Sequence, residues 1–306
     1  MRTIELGKSG LKVPVIAVGC MRLVDVDKPA AEAFIKTALD IGANFFDHAD
    51  IYGAGECETI FAEVTGMNSS IREKMILQSK CGIVPGKMYD FSKSHILASV
   101  DGILSRLRTD YLDVLLLHRP DALVEPEEVT EALDILKNNG KVRNFGVSNL
   151  DPYFIELLRS SLNQPIVTNQ LQLSLTNASL ISQDLNMNVL NQHAVDRDNG
   201  VLNFCRINKI TVQAWSPFQY GEMEGAFLGN DKFPELNKKI EEMASDYGVS
   251  ATTIAIAWIL RHPARIQPVI GTMTIDRLLD SVKAAEITLS REDWYGLYLA
   301  AGHGLP

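Results

Sequence analysis

The chain has 306 residues, of which 46% are hydrophobic and 22% charged, and this balance is typical of a globular protein with a large core. Its formal net charge of −9 argues against nucleic acid or an anionic membrane surface as the main partner. The four cysteines form no C-x-x-C pair, and the charged start has no apolar leader. We therefore expect a cytoplasmic protein without a structural zinc site or a membrane span.

Eight short apolar runs alternate with helix-like segments such as "PEEVTEALDILKNNG", which starts with Pro and acidic residues and ends in Asn-Gly. Alternation of this kind indicates parallel strands joined by crossover helices. No G-x-G-x-x-G motif and no linker occur, so we predict a single α/β domain over residues 1–306, a (β/α)8 TIM barrel, instead of a doubly wound sheet. The predicted strands are 15–19, 43–47, 75–80, 111–118, 142–148, 165–170, 210–216 and 266–271.

The chain is longer than the roughly 250 residues of a typical barrel, so insertions are expected. We assign the surplus to an N-terminal β-hairpin (2–14), a segment after the sixth strand (174–196) and a tail (286–306). The end of the tail, "GLYLAAGHGLP", is small and offers little to wall off a pocket. An open substrate site is therefore expected.

Four polar residues lie at the ends of three consecutive predicted strands. Asp47 ends the second strand, Lys80 the third and His118 the fourth, while Tyr52 lies in the loop after the second. Active sites of such barrels lie at the carboxyl ends of the strands, so these side chains should share one rim. Each alone has an ordinary structural explanation, but four matched residues on adjacent strand ends indicate a catalytic site.

These four residue types can form a proton donor. The ordinary pKa of a tyrosine is about 10, and a neighbouring Lys80 ammonium should stabilise the Tyr52 phenolate and bring its pKa closer to the working pH. Asp47 should keep Lys80 charged, and His118 could orient or polarise a carbonyl oxygen.

Three charged or titratable neighbours are expected to be structural. His48 should point to the opposite face of its strand from Asp47. Arg119 should pair with a nearby carboxylate such as Asp121.

A metal-dependent hydrolase is the less favoured reading, because Lys80 would repel a cation. It would have to use Asp47, His48, Asp50 and His118.

Seven stretches give the chain a resemblance to the aldo-keto reductase family over nearly its whole length. They are "FFDHADIYG", "ILQSK", "RLRTDYLDVLLLHRPD", "GKVRNFGVSN", "QLQLS", "AWSPF" and "VIGT" followed by Arg277. The resemblance implies a (β/α)8 barrel that binds NADPH without a Rossmann domain and reduces carbonyl compounds. It also implies that the catalytic tetrad is Asp47, Tyr52, Lys80 and His118.

The resemblance further assigns cofactor contacts. Ser148, Asn149 and Gln170 would bind the nicotinamide carboxamide, and Trp215 would stack on the ring. A strand running into a helix start at "VIGTMTIDRLL" is also, on physical grounds, a natural phosphate site. The remaining implied contacts are Gly19 and Met21 along the cofactor, Ser216 and Pro217 at the pyrophosphate, and Gly271, Thr272, Met273 and Arg277 around the adenosine phosphate.

Two departures from the family pattern concern the adenosine end. Many members have Pro-Lys-Ser or Pro-Gly-Thr where this chain has Ile270-Gly271-Thr272, so a lysine contact to the phosphate is absent. Asp280 and Ser281 replace the usual Glu-Asn after the arginine, so no adenine contacts are assigned. Arg277 can still form bidentate contacts to a 2′-phosphate, so NADPH is expected over NADH.

The expected activity is reversible reduction of an aldehyde or ketone to an alcohol, with hydride from the nicotinamide and a proton from Tyr52. The alternative is a regulatory module of the same fold that binds the cofactor but turns over little. The expected partner is a small-molecule carbonyl substrate, and no metal is expected. The chain is expected to be a monomer or a weak oligomer. The identity of the substrate depends on loops and on residues such as Met21, Arg22 and Phe218.

Overall fold

Eight parallel strands close into a barrel in the computed structural model, which describes all residues from Met1 to Pro306. The predicted barrel is confirmed, and every strand boundary lies within two residues of its predicted position. The strands are β1 Thr3–Glu5, β2 Lys12–Pro14, β3 Ala17–Gly19, β4 Phe45–Asp47, β5 Ile76–Cys81, β6 Ile83–Val84, β7 Met88–Tyr89, β8 Leu112–Leu117, β9 Val142–Ser148, β10 Ile166–Gln172, β11 Thr211–Trp215, β12 Gln219–Tyr220, β13 Gly225–Ala226 and β14 Gln267–Ile270. Around the barrel, neighbouring strands follow the order β3-β4-β5-β8-β9-β10-β11-β14.

Helices surround the barrel, and several begin at the start signals that the sequence carries. Asp27, for example, accepts a hydrogen bond from the backbone N–H of Ala30 at the start of α1. The helices are α1 Lys28–Asp40, α2 Glu56–Thr65, α3 Ser69–Arg72, α4 Lys93–Leu107, α5 Pro126–Asn138, α6 Pro152–Arg159, α7 Ser179–Leu185, α8 Val201–Asn208, α9 Pro234–Tyr247, α10 Ala251–Leu260, α11 Ile275–Lys283 and α12 Arg291–Ala300. Short 3-10 helices cover Leu23–Asp25, Tyr52–Gly55, Gln192–Ala194 and Ala284–Glu286.

Side chains of the barrel strands alternate between two apolar regions. Phe45, Val114 and Val167 belong to a small cluster in the barrel interior. Their neighbours Phe46 and Leu115 belong to the large cluster between the sheet and the helices. Strands buried on both faces explain why these runs read as nearly continuous apolar sequence.

The N-terminal hairpin of β1 and β2 closes the amino end of the barrel. Leu6 and Val13 join the interior cluster. The Gly7 N–H donates to Oγ1 of Thr211, and a Cβ at Gly7 would lie 2.3 Å from the carbonyl oxygen of Val167. Only glycine permits this approach, so the hairpin is fixed to the floor of the barrel.

The other two insertions lie away from the open end. The segment 174–196 contains α7, and the tail contains α12, which packs against α9. Trp294 of α12 stacks on Trp258 and on Tyr298. Neither insertion contributes a residue to the lining of the cavity at the carboxyl ends of the barrel strands, so the tail does not wall it off. No helix combines the length and the apolar character that crossing a bilayer requires.

Candidate active site

A cavity of about 920 Å³ lies at the carboxyl ends of the barrel strands. Three of the four predicted tetrad residues line it, namely Asp47, Tyr52 and His118, while Lys80 is fully buried. All twelve positions predicted to contact the cofactor also line it. They are Gly19, Met21, Ser148, Asn149, Gln170, Trp215, Ser216, Pro217, Gly271, Thr272, Met273 and Arg277.

Lys80 holds the centre of the tetrad. Its Nζ lies 2.8 Å from Oδ2 of Asp47 and donates to Oη of Tyr52 at 3.1 Å. The third donor contact goes to the carbonyl oxygen of His48 at 2.8 Å. The loop after β4 therefore folds Tyr52 back over the strand end, as the sequence predicts, and all three protons of the ammonium have acceptors.

The electrostatics agree with the expected roles in one respect and differ in another. Burial alone would lower the pKa of Lys80, but its contacts with Asp47 and Tyr52 raise the pKa above the usual value of 10.5, so the side chain is charged. Burial raises the pKa of Tyr52 above its ordinary 10.0, and Lys80 opposes this only in part. The expectation of a pKa lowered toward the working pH is therefore wrong for the protein alone, because desolvation outweighs the ammonium.

His118 faces Tyr52 from the end of β8, with the ring centres 6.2 Å apart and the rings nearly perpendicular. Burial, together with the charges of Lys80 and Arg119, lowers the pKa of His118 well below 6.5, so the imidazole is neutral. Its Nδ1 is buried and has no hydrogen-bond partner. An unpaired buried N–H is rarer than an unpaired acceptor, so we infer that the proton is on Nε2.

Buried glutamines beneath the tetrad are a feature that the sequence analysis missed. Gln78 donates to Oδ1 of Asp47 at 2.6 Å and to Oε1 of Gln213 at 2.9 Å. Gln213 donates to Gln267, whose amide donates to the carbonyl oxygen of Pro14 in the hairpin. A polar chain thus runs from the closed end of the barrel to the carboxylate. The available sequence signal was the spacing of Gln78 and Lys80. They are two residues apart in one predicted strand, so their side chains lie on the same face.

Three residues at the predicted nicotinamide position form a hydrogen-bonded row. The Ser148 hydroxyl donates to the carbonyl oxygen of Gln170, and the Asn149 amide donates to Oγ of Ser148. Nε1 of Trp215 donates to Oδ1 of Asn149 at 3.0 Å. Asn149 and Ser216 both have a positive φ, near 60° and 51°. Such backbone strain in residues other than glycine clusters at functional sites.

Gln170 links this row to the tetrad. Its amide nitrogen donates to Oδ1 of Asp47 and to Oε1 of Gln213, both at 3.1 Å. Its Oε1 makes no hydrogen bond. One side of the amide therefore supports Asp47, and the other remains able to accept a hydrogen bond.

The predicted phosphate end lies at the start of α11. The backbone N–H groups of Thr272 and Met273 have no acceptor, and Thr274 gives the helix no side-chain cap. Arg277 is exposed and unpaired in the first turn. Arg22 donates to the carbonyl oxygen of Gly271 at 2.8 Å, which ties the loop after β3 to this end. Free N–H groups beside an arginine form a site suited to an anion.

His48 and Asp50 do not join the cavity set. His48 is buried, and its ring contacts Phe61 of α2 edge-on, on the opposite face of the strand from Asp47 as predicted. Burial lowers the pKa of His48 to about 3, and burial followed by the charge of Glu58 raises the pKa of Asp50 to about 7. The structure contains no group of three or more His, Cys, Asp or Glu side chains arranged to hold a metal ion.

The expected pairing of Arg119 with Asp121 is wrong. Asp121 instead accepts hydrogen bonds from the backbone N–H groups of Phe91 and Leu123. The guanidinium of Arg119 lies over the ring of Trp215, 5.9 Å from its centre. Backbone N–H groups therefore bind the Asp121 carboxylate, and Arg119 lines the cavity.

Comparison with known proteins agrees with the barrel fold. The sequence model described as "Aldo/keto reductase family" matches residues 15–297. An uncharacterized oxidoreductase of Bacillus subtilis, YcsN, is 36% identical, with all of both chains covered. A 6-dehydroglucose reductase of Novosphingobium aromaticivorans is 34% identical, covering 99% of this chain and 96% of the relative. An aldo-keto reductase of Klebsiella pneumoniae, solved in complex with NADPH, has a TM-score of 0.78 at 24% identity over 100% of this chain and 96% of that one, which supports the fold.

Proposed function

The chain belongs to the aldo/keto reductase family, and we propose that it reduces aldehydes or ketones to alcohols with NADPH, using Tyr52 as the proton donor. One observation carries the proposal. A buried, charged Lys80 contacts both Asp47 and the Tyr52 hydroxyl, and that hydroxyl belongs to a residue that lines the cavity. This arrangement suits a phenol that must give up a proton and hold negative charge for the length of a turnover.

Tyr52 donates its hydroxyl proton to the carbonyl oxygen of the substrate as that oxygen gains electrons. The phenolate left behind lies 3.1 Å from the Lys80 ammonium, which stabilises it. Asp47 holds the ammonium in place and supplies the counter-charge that permits it to remain charged while buried. Because Lys80 supplies the positive charge beside the phenol, we propose that no metal ion is needed.

His118 contributes a neutral N–H donor. Its Nε2 proton is directed to the same carbonyl oxygen, where it orients the substrate and stabilises developing negative charge. A neutral imidazole suits this role because its lowered pKa keeps it from competing with Tyr52 as the acid.

When bound, NADPH would supply the hydride from its nicotinamide. The donor set of the structure fits this group. Gln170 keeps a free Oε1 beside Ser148 and Asn149, so acceptors and donors for a carboxamide lie together. Trp215, fixed by Asn149, presents an indole ring at the same place. Gly19 and Met21 line this part of the cavity from the end of β3.

The phosphate groups have a matching site at the other end. We propose that Ser216 and Pro217 contact the pyrophosphate, and that Gly271, Thr272 and Met273 surround the adenosine phosphate. Arg277 is unpaired there and can bind a 2′-phosphate through two parallel hydrogen bonds. The chain has glycine and not lysine at position 271, so no lysine contacts the phosphate there. Arg277 is therefore the main source of selectivity for NADPH.

Further parts of the proposal concern the chain as a whole. We propose that residues 1–306 fold as one domain, that the substrate is a small carbonyl compound, and that the protein is a monomer or a weak oligomer. Hairpin, barrel and tail share hydrogen bonds and apolar contacts, which supports the first point.

The decisive experiment replaces Tyr52 with Phe. Turnover of an aldehyde panel is followed by the loss of NADPH absorbance, and NADPH binding is followed by fluorescence. We expect kcat/KM to fall roughly 10²-fold to 10⁴-fold while the Kd for NADPH changes little. Tyr153→Phe, on the exposed surface of α6, is the matched control. Unchanged turnover in Tyr52→Phe, or tight NADPH binding by the wild type without turnover of any carbonyl, would contradict the proposal.

A further inference from the structure

Arg119 lies in the part of the cavity nearest the tetrad. It follows His118 directly at the end of β8 and is half-buried. The backbone N–H of His118 donates to the backbone carbonyl oxygen of Cys81, which places the loop after β8 beside the loop after β5. Consecutive Cα atoms are only about 3.8 Å apart, so His118 and Arg119 can contact one small molecule.

Arg119 has no counter-charge. It forms no ion pair and no side-chain hydrogen bond, and its guanidinium only faces the ring of Trp215. The acidic residues that line the cavity are Asp47, which Lys80 occupies, and Glu241. Glu241 lies on α9, which packs against α10 and α12, and not on the β5–β8 side.

Apolar side chains contribute to the cavity that Arg119 lines. Ile51, after β4, and Ile83, at the start of β6, line it, and the guanidinium of Arg119 lies 5.9 Å from the centre of the Trp215 ring. Partial burial of a guanidinium without a counter-charge carries a desolvation cost, which a bound anion would offset. The other arginines of the cavity have a contact or lie at the open phosphate end: Arg22 donates to Gly271, and Arg277 is exposed. Of these three arginines, Arg119 alone is both half-buried and unpaired.

We propose that Arg119 binds a carboxylate on the substrate, so that the enzyme prefers aldehydes or ketones that also carry an acid group. This inference rests on the proposed carbonyl reduction. The planar guanidinium can form two parallel hydrogen bonds to a carboxylate while the carbonyl oxygen lies at Tyr52 and His118. Trp215 supports the guanidinium from its ring face.

The test compares 4-carboxybenzaldehyde with its neutral isostere 4-carbamoylbenzaldehyde, using NADPH. We expect wild-type kcat/KM to be higher for the acid, and the ratio of the two values to fall roughly tenfold or more in Arg119→Gln, through KM. Arg119→Lys should recover part of the preference, and added salt should reduce it in the wild type. Arg291→Gln, an exposed arginine outside the cavity, is the matched control.

A wild-type ratio of one or less, or a ratio unchanged in Arg119→Gln, would overturn the assignment; so would a higher kcat/KM for a neutral sugar aldehyde than for any acid. A second measurement does not depend on turnover. The Kd of 4-carboxybenzaldehyde for protein loaded with NADP⁺, from calorimetry, should weaken at least tenfold in Arg119→Gln. Absence of turnover with intact, Arg119-dependent binding would refute the proposed reaction but not the carboxylate site, and equal Kd values would refute the site.

Discussion

The side-chain amide of Gln78 donates a 2.6 Å hydrogen bond to Oδ1 of Asp47 from inside the barrel. The carboxylate is therefore held from two sides, by Gln78 and Gln170 on Oδ1 and by Lys80 on Oδ2. Hydrogen bonds to a charged acceptor are among the stronger ones in proteins. The position of the ammonium beside Tyr52 depends on this support.

Gln78→Leu tests the support directly. Loss of one hydrogen bond to Asp47 should let Lys80 move relative to Tyr52, so we expect kcat to fall roughly threefold to tenfold while the KM for NADPH changes little. Oε1 of Gln78 is buried without a partner, so the change also removes one unsatisfied atom and the melting temperature should fall little. Steady-state kinetics across pH, beside Gln192→Leu on the exposed surface, make the comparison. An unchanged kcat and pH profile would show that Gln78 only fills space.

Lys80→Met separates stability from catalysis. The change leaves the Asp47 carboxylate buried without its partner, and breaking such a pair costs about 3–5 kcal/mol of unfolding free energy. Adding Asp47→Asn removes the isolated charge and should recover much of that loss, but neither variant should reduce aldehydes at a measurable rate. Denaturant unfolding and NADPH consumption are the two measurements. Recovery of activity in the double variant would exclude the ammonium from the mechanism.

Arg277→Ala tests the choice of cofactor. In the proposed arrangement, the unpaired guanidinium of Arg277 at the start of α11 contacts only the 2′-phosphate, which NADPH carries and NADH lacks. We expect the KM for NADPH to rise roughly tenfold or more and the KM for NADH to change less than twofold. Arg291→Ala controls for the loss of one positive charge. Equal losses for both cofactors would place the 2′-phosphate elsewhere.

Asp50 gives the protein a dependence of stability on pH. Its folded pKa of about 7 lies above the ordinary value near 3.9, so the folded state binds more protons than the unfolded state between these values. Stability is lost as pH rises through that window, and the penalty is complete above about 7. Asp50→Asn should raise the melting temperature by roughly 2 °C or more at pH 8 and by less at pH 5. The exposed Asp231→Asn should show no such difference, and an equal gain at both pH values would contradict the assignment.

The barrel and the grouping of the four polar residues at one rim could be predicted because both follow from local sequence pattern. Apolar runs and helix signals set the strand positions, and parallel strands bring their carboxyl ends to one rim, so Asp47, Lys80 and His118 had to lie near one another. The parallel arrangement of the strands is enough to explain why these three residues share one rim.

Other features depend on three-dimensional surroundings. The net pKa of Tyr52 reflects how deeply the loop buries the phenol, which no residue pattern states. Arg119 and Asp121 are close in sequence, but the backbone N–H of Phe91, 30 positions from Asp121, occupies that carboxylate. Gln213 and Gln267 stand in ordinary apolar strands, and only closure of the barrel brings their amides together.

The attachment of Gln267 to the Pro14 carbonyl has a consequence for redesign. The chain of glutamines that supports Asp47 begins at the hairpin on the floor of the barrel, whereas Arg119, the proposed substrate contact, lies at the opposite end. Loops other than the one after β4, which carries Tyr52, could therefore be exchanged to change the compounds accepted, while the contacts among Asp47, Lys80 and Tyr52 are kept. Shortening the chain at its beginning should instead damage catalysis from a distance, even though no residue removed lies near the reacting atoms.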